Sequence, residues 1–203
     1  MRRHVMWLTS VALVCGAGAG AAAAQATGMP SFNAPYRAFD RSEFGVDVSF
    51  PNGAGTAIEA VYRYAAGRFD IGFRGGMWDP GACCKTELLL GAEARERVVT
   101  HTENFPLDGA IVVGAGTALV SGGSTVFIPV GLSLGRRVAP KGSTLTIVPF
   151  VEPTATLVGN NGTTVDFTLG FGADVRVSRA FDARMSFGIG DLDGVSIGAR
   201  WVH

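Results

Sequence analysis

Long hydrophobic runs, lysine, histidine, cysteine and net charge are all scarce in this sequence. Only Lys85 and Lys141 are lysines, against fifteen arginines. Seventeen basic residues balance 17 acidic ones, and charged residues make up 17% of the chain. No basic excess remains to neutralise phosphates, so nucleic acid is not an expected partner. Three cysteines cannot build a disulfide scaffold. Cys83 and Cys84 are adjacent, which leaves a strained vicinal bond, two loop thiols or an intermolecular bond as alternatives. They form no C-x-x-C pair and no histidine clusters with them, so neither a metal site nor a cofactor is expected. Beyond the N-terminus no apolar run reaches the length of a membrane-spanning helix. Yet 47% of residues are hydrophobic and mean hydropathy is +0.29. The chain is too apolar for disorder, and its 203 residues suit one domain. Glycine is abundant, at 29 residues, about twice the usual share, with no Gly-X-Y period.

The N-terminus carries Arg2-Arg3, an apolar stretch from Val5 to Cys15, and Ala24-Gln25-Ala26. A positive start, a short apolar centre and a small-x-small site are the layout of a secretory signal peptide. The expected organisation is a signal peptide over 1–26, an N-terminal lead over 27–42, and a barrel domain over 43–203. Removal of the first 26 residues leaves 15 basic and 17 acidic residues. The lead is polar and contains proline; it is expected in the periplasm or tucked into the barrel mouth.

From residue 43 onward the chain alternates with period two, the signature of strands. Val165, Phe167, Leu169, Phe171, Ala173, Val175 and Val177 make one face of the clearest segment, with Asp166, Thr168, Gly170, Gly172, Asp174 and Arg176 on the other. Nine further segments repeat the pattern, separated by turn signals such as Pro51-Asn52-Gly53, Ser121-Gly122-Gly123 and Asn160-Asn161-Gly162. The fourth, around Thr86 to Arg95, has helical propensity but also alternates, and is read as a strand. Ten strands are expected, with eight as the alternative, because bacterial single-chain barrels use even counts.

The composition of the polar face decides which side is wet. It holds Gly, Ser, Thr, Asp and Arg rather than the Lys, Glu and Thr usual on a water-facing sheet. Glycine weakens an exposed strand, whereas in a narrow barrel it relieves crowding. The apolar face, in runs of about nine to eleven residues, fits lipid. Closure satisfies every backbone polar group, as lipid requires. The fold class is therefore all-β, a closed antiparallel up-and-down transmembrane β-barrel. Asp47, Glu59, Arg63, Asp70, Arg74, Glu93, Arg95, Glu152, Asp166, Asp174, Arg176, Arg184 and Arg200 are expected inside as a charged network. Segments five and six bring almost no charge inward, so this polar sector faces a small apolar recess near Phe127, Pro129, Val148 and Phe150. Phe44, Tyr64, Phe69 and Trp201 are expected at one interfacial rim, and Phe50 and Trp78 at the other.

The signal peptide, the strand pattern, the segment FIPVGLSLGRRV (Phe127 to Val138) and the last strand GVSIGARWVH resemble small bacterial outer-membrane β-barrels of the OmpA and OmpX kind. That resemblance implies outer-membrane lipid as surroundings. It also implies a final strand, Val195, Ile197, Ala199 and Trp201, that the barrel-assembly machinery reads. This chain departs from the usual ending, because Val202 and His203 follow the aromatic. Expected outer loops are short, so a phage or adhesin receptor role is not favoured. Function is expected to be structural, or that of a narrow, porin-like pore for small solutes, without catalysis. The alternative is a soluble periplasmic or secreted β-barrel or sandwich binder. An outer-membrane lipid-modifying enzyme is less favoured: past the signal only His101 and His203 remain, with no evident nucleophile beside them.

Overall fold

The structure, a computed structural model, describes residues 25–35, 40–52, 55–82, 84–140, 142 and 145–203. The expected signal peptide lies outside the described residues except for Gln25 and Ala26. Ten strands follow one another: β1 Glu43–Pro51, β2 Thr56–Ala66, β3 Phe69–Asp79, β4 Glu87–Val99, β5 Asp108–Val120, β6 Gly123–Gly135, β7 Thr146–Gly159, β8 Thr163–Arg176, β9 Phe181–Gly190 and β10 Gly194–Val202. Each pairs antiparallel with its sequence neighbours, and β1 closes on β10 from Glu43↔Val202 to Pro51↔Gly194. No edge strand remains, so every ladder is paired. The fourth segment is a strand of thirteen residues, with one register shift between Arg97 and Val99. Alternation overrides its helical propensity because both neighbours offer a ladder and the two faces meet different surroundings.

One end of the barrel carries the turns after β1, β3, β5, β7 and β9. The opposite end carries both flanks of the strand set and the longer connections 100–107 and 136–145. The β7–β8 turn places Asn161 at φ 48, the one left-handed residue other than glycine among the described residues. Asn-Gly sequences tolerate this geometry, so the turn reading of Asn160-Asn161-Gly162 holds.

The two faces of the wall are sorted in the reverse of a water-soluble fold. Thirty-two large hydrophobic side chains are exposed among the described residues, and 28 of them lie on the strands, with at least one on each of the ten. Among the described residues 27 polar or charged residues are buried, against 16 hydrophobic ones. A soluble barrel would bury the apolar set. A continuous exposed apolar belt of this extent is the arrangement a bilayer accepts.

Candidate functional site: the lumen and the segment inside it

The interior is built from the inward positions of each strand. Twelve of the thirteen charged residues expected there are buried, and Arg176 is half-buried. Three further carboxylates are buried that alternation alone did not reveal: Glu43, Asp108 and Asp182. Each begins a strand or sits one residue inside it, at the margin of the segments legible in sequence.

Glu43 is the hub of the network. Its Oε1 lies 3.7 Å from guanidinium nitrogens of Arg63, Arg184 and Arg200. Arg63 also bonds Asp70 at 2.6 Å and makes a close bond to Glu93. Arg95 holds the second face of Asp70 at 2.9 Å. Arg200 donates to Asp47 at 2.6 Å, and Arg184 grips Asp174 through two bonds of 2.7 and 2.8 Å. Arg74 lies 3.4 Å from Glu59 and 3.8 Å from Asp47. The planar guanidinium suits such shared geometry, because one fork can satisfy two carboxylates.

The inner glycines are explained by what lies on them. A Cβ on Gly72 would stand 3.1 Å from the Arg63 guanidinium, and one on Gly198 would stand 2.1 Å from Asp47 Oδ1. A Cβ on Gly45 would meet Arg200 at 2.8 Å. Long charged side chains thus cross the lumen over bare backbone.

Residues 25–35 also lie inside the barrel. All are buried. The sequence expectation placed the lead in the periplasm or at the mouth; the structure carries it deeper. Met29 packs with Ala57, Leu89, Ala118, Phe127 and Val158 at the short-turn end. Phe32 packs with Val148, Phe150 and Leu192. The apolar recess expected beside segments five to seven therefore exists, and Met29 and Phe32 fill it. Wall glycines again make the space: a Cβ on Gly170 would stand 2.3 Å from the Phe32 ring, and one on Gly116 1.9 Å from the Ala26 carbonyl. A ten-stranded barrel is wider than the eight-stranded size that wall side chains alone fill, so it leaves room for one added chain segment.

The four long or hydroxylic polar side chains of the segment all reach wall carboxylates. Gln25 Nε2 donates to Glu152 at 3.1 Å, Thr27 Oγ1 to Glu59 at 2.7 Å, Ser31 Oγ to Asp47 at 2.6 Å, and Asn33 Nδ2 to Glu93 at 3.1 Å. The segment's backbone is satisfied by wall side chains, for example Phe32 N–H on Ser186 Oγ at 3.2 Å and the Asn33 carbonyl on Ser133 Oγ at 2.6 Å. These lead residues were not among the sequence-level candidates. The signal that could have found them is Met29 and Phe32, two large apolar residues three apart among small and polar neighbours.

Above this segment, at the short-turn end, opens a recess of about 790 Å³ floored by Thr27, Gly28 and Met29. Trp78 lines it and packs on the Met29 cluster. This corrects the expectation that Trp78 is an interfacial aromatic. In β3, Asp70 and Arg74 point inward, and Trp78 shares their parity. Of the other expected interfacial aromatics, Phe44, Phe50, Tyr64, Phe69 and Trp201 are exposed on the outer face. Phe44 and Trp201 stack across the β1–β10 seam, with centroids 5.6 Å apart.

His101 lies in the 100–107 connection, with Nδ1 3.0 Å from Asp108 Oδ1. The neighbouring Thr102 hydroxyl accepts the Phe105 N–H instead. His203 ends the chain beside Phe44 and Tyr62. Cys84 is exposed, and Cys83 lies outside the described residues. No group of three potential metal ligands occurs among the described residues.

No protein-family model matches the sequence, and no curated protein matches it. Among solved structures, the chain is similar to a de novo designed transmembrane β-barrel, at 18% identity over 81% of this chain and 97% of that one, with a TM-score of 0.42. It is also similar to a bacterial polysaccharide outer membrane secretin, at 13% identity over 85% and 66% of the two chains, with a TM-score of 0.47. The β domain of the Bordetella autotransporter BrkA matches at 12% identity over 81% and 99%, with a TM-score of 0.49. The closed ten-stranded barrel itself rests on the hydrogen-bonded register described above.

Proposed function

We propose that this protein is an integral outer-membrane β-barrel, exported through its N-terminal signal, that is structural and closed at rest rather than catalytic. The observation that carries this reading is the inverted sorting of the wall: an exposed apolar belt on all ten strands around a buried, arginine-bridged interior. Water would penalise that belt at about 25 cal/mol per Å²; a bilayer does not. The aromatic pair Phe44–Trp201 at the seam supports an interfacial position. The last strand, with Trp201 outward and paired on β1, supports recognition by the barrel-assembly machinery. Relationship to the small OmpA- and OmpX-like barrels remains part of this proposal, resting on the strand pattern and the C-terminal strand.

That the barrel is non-catalytic is part of the same proposal and draws on the surroundings of His101. His101 meets only the Asp108 carboxylate, and no serine or threonine hydroxyl is bonded to it among the described residues. Membrane fractionation tests the proposal directly. Recovery in outer membranes, with a gel band that shifts on heating, is the expected result. Recovery in the soluble periplasm without detergent would favour the soluble binder and overturn the membrane reading.

A further inference from the structure

We propose that the N-terminal segment left after signal removal, residues 27–35, is a removable plug without charged side chains, and that its withdrawal opens a cation-selective path through the barrel. The proposal rests on the membrane-barrel reading and adds a gate and a selectivity to it.

Charge is the first argument. Among the described residues the buried wall holds ten carboxylates and five arginines, with Arg176 half-buried as a sixth. The plug, TGMPSFNAP, contributes no charged side chain. Its side chains leave the wall's carboxylate excess in place and cap part of it with uncharged donors. The Thr27, Ser31 and Asn33 side chains cover Glu59, Asp47 and Glu93, and the Asn33 N–H reaches Glu152 at 3.4 Å. Arg74, Arg95 and Arg184 donate to the plug at Ser31, Ala34 and Asn33. Once the plug leaves, these four carboxylates and three arginines line the vacated space, and the carboxylates of the buried wall remain in excess. A lumen walled by carboxylate side chains favours cations over anions.

Attachment is the second argument. No backbone ladder joins the plug to any strand among the described residues. Within it, the Ser31 N–H bonds the Met29 carbonyl. Its ties to the wall run through side chains and two apolar anchors, Met29 and Phe32. The plug can therefore leave without breaking a ladder bond of the barrel. Signal cleavage after Ala26 removes Gln25 and Ala26, leaves the Thr27, Ser31 and Asn33 contacts in place, and sets the new α-amino group on Thr27, whose hydroxyl bonds Glu59.

Space is the third argument. Gly91 and Gly170 face Thr27 and Phe32 of the plug, so the wall residues there are too small to close the vacated path by themselves. The recess of about 790 Å³ already connects the plug's upper face to solvent.

The test uses the full chain in planar bilayers with a potassium chloride gradient. The wild type should be silent. The variant Phe32→Asp/Asn33→Asp places new carboxylates against Phe150 and Glu93 and should conduct in steps, with a reversal potential of the cation-selective sign. Adding Glu59→Gln, Glu93→Gln and Glu152→Gln should shift that potential toward zero. A conducting wild type, a folded but silent plug variant, or an anion-selective one overturns the proposal. Heat-shifted migration reports barrel folding separately, so a chain that never enters the membrane refutes the membrane reading rather than the gate. A second measurement covers a plug variant that fails to fold. Ser31→Cys, in a Cys83→Ser/Cys84→Ser background, should resist a water-soluble maleimide at rest. It should react under urea concentrations that leave the barrel folded. Immediate labelling at rest, or labelling only on global unfolding, overturns the proposal.

Discussion

Leu169 stands at the middle of the fourteen-residue strand β8 and is 44% exposed on the outer face. Replacing it with arginine puts a guanidinium at the level where the bilayer is driest. Transmembrane barrels lose roughly 2–4 kcal/mol for arginine at the midplane and about 0–1 near the interface. Val177 provides the comparison, being outward, 53% exposed and just beyond the end of β8. At ~3.4 Å per residue the eight steps from Leu169 cover roughly 27 Å of strand. A strand tilt of ~40° turns this into about 20 Å along the membrane normal, beyond the edge of an apolar band ~25 Å tall. Leu169→Arg should therefore cost at least ~1 kcal/mol more than Val177→Arg, about a fivefold difference in the folding equilibrium. Urea titration of folding into phospholipid vesicles, followed by tryptophan fluorescence and heat-shifted migration, measures both. Thr168→Arg is the internal control. Thr168 is buried and its Oγ1 accepts the Leu192 N–H at 3.0 Å. Its penalty should come from crowding and should not change with lipid chain length, whereas that of Leu169→Arg should rise in thicker bilayers. Equal penalties for Leu169→Arg and Val177→Arg would refute the assignment of this face to lipid.

Gly170→Val should destabilise the folded protein by about 1–3 kcal/mol, because the new side chain enters the Phe32 ring. Phe32→Ala in the same chain should recover most of that loss, and a double-mutant cycle by urea titration would expose additivity if the two do not touch. Glu43→Gln removes a carboxylate that stands 3.7 Å from three guanidiniums, each of which keeps a closer carboxylate in Asp70, Asp174 or Asp47, and should cost roughly 1–3 kcal/mol, read as a lowered urea midpoint at unchanged slope. Trp201→Ala removes the stack on Phe44 and should slow assembly in a reconstituted assembly-machinery assay more than Ile197→Ala does; equal rates would remove Trp201 from the recognition signal.

Strand identity and facing were legible because both have a local cause. Period-two alternation needs only residues i and i+2, so Val165 to Val177 could be assigned from the string alone. In β4 Leu89 shares the parity of Glu93 and Arg95 and is buried, whereas Leu88 and Leu90 are exposed. Parity was also available for Trp78, yet its position near a strand end suggested a girdle. The structure seats it against the buried cluster that Met29, 49 positions away, helps to form. Glu43, Asp108 and Asp182 escaped notice because alternation is poorly sampled where a strand begins. The lead escaped for another reason. Residues 25–35 form no strand and follow no period, so nothing local tells where they go.

By itself the sequence pointed to an inside-out barrel, with ten strands expected and eight as the alternative, and only the closed register decided for ten. Arginine and aspartate alternate with valine, leucine and phenylalanine, and glycine occupies the polar face. Only the tertiary structure decided what fills the barrel and why so many inner positions are glycine. Gly170 lies under Phe32, and Gly72 lies under Arg63. Those contacts join residues far apart in sequence across a closed lumen. They depend on the radius, register and closure of all ten strands together, and no stretch of sequence shorter than the whole barrel specifies them.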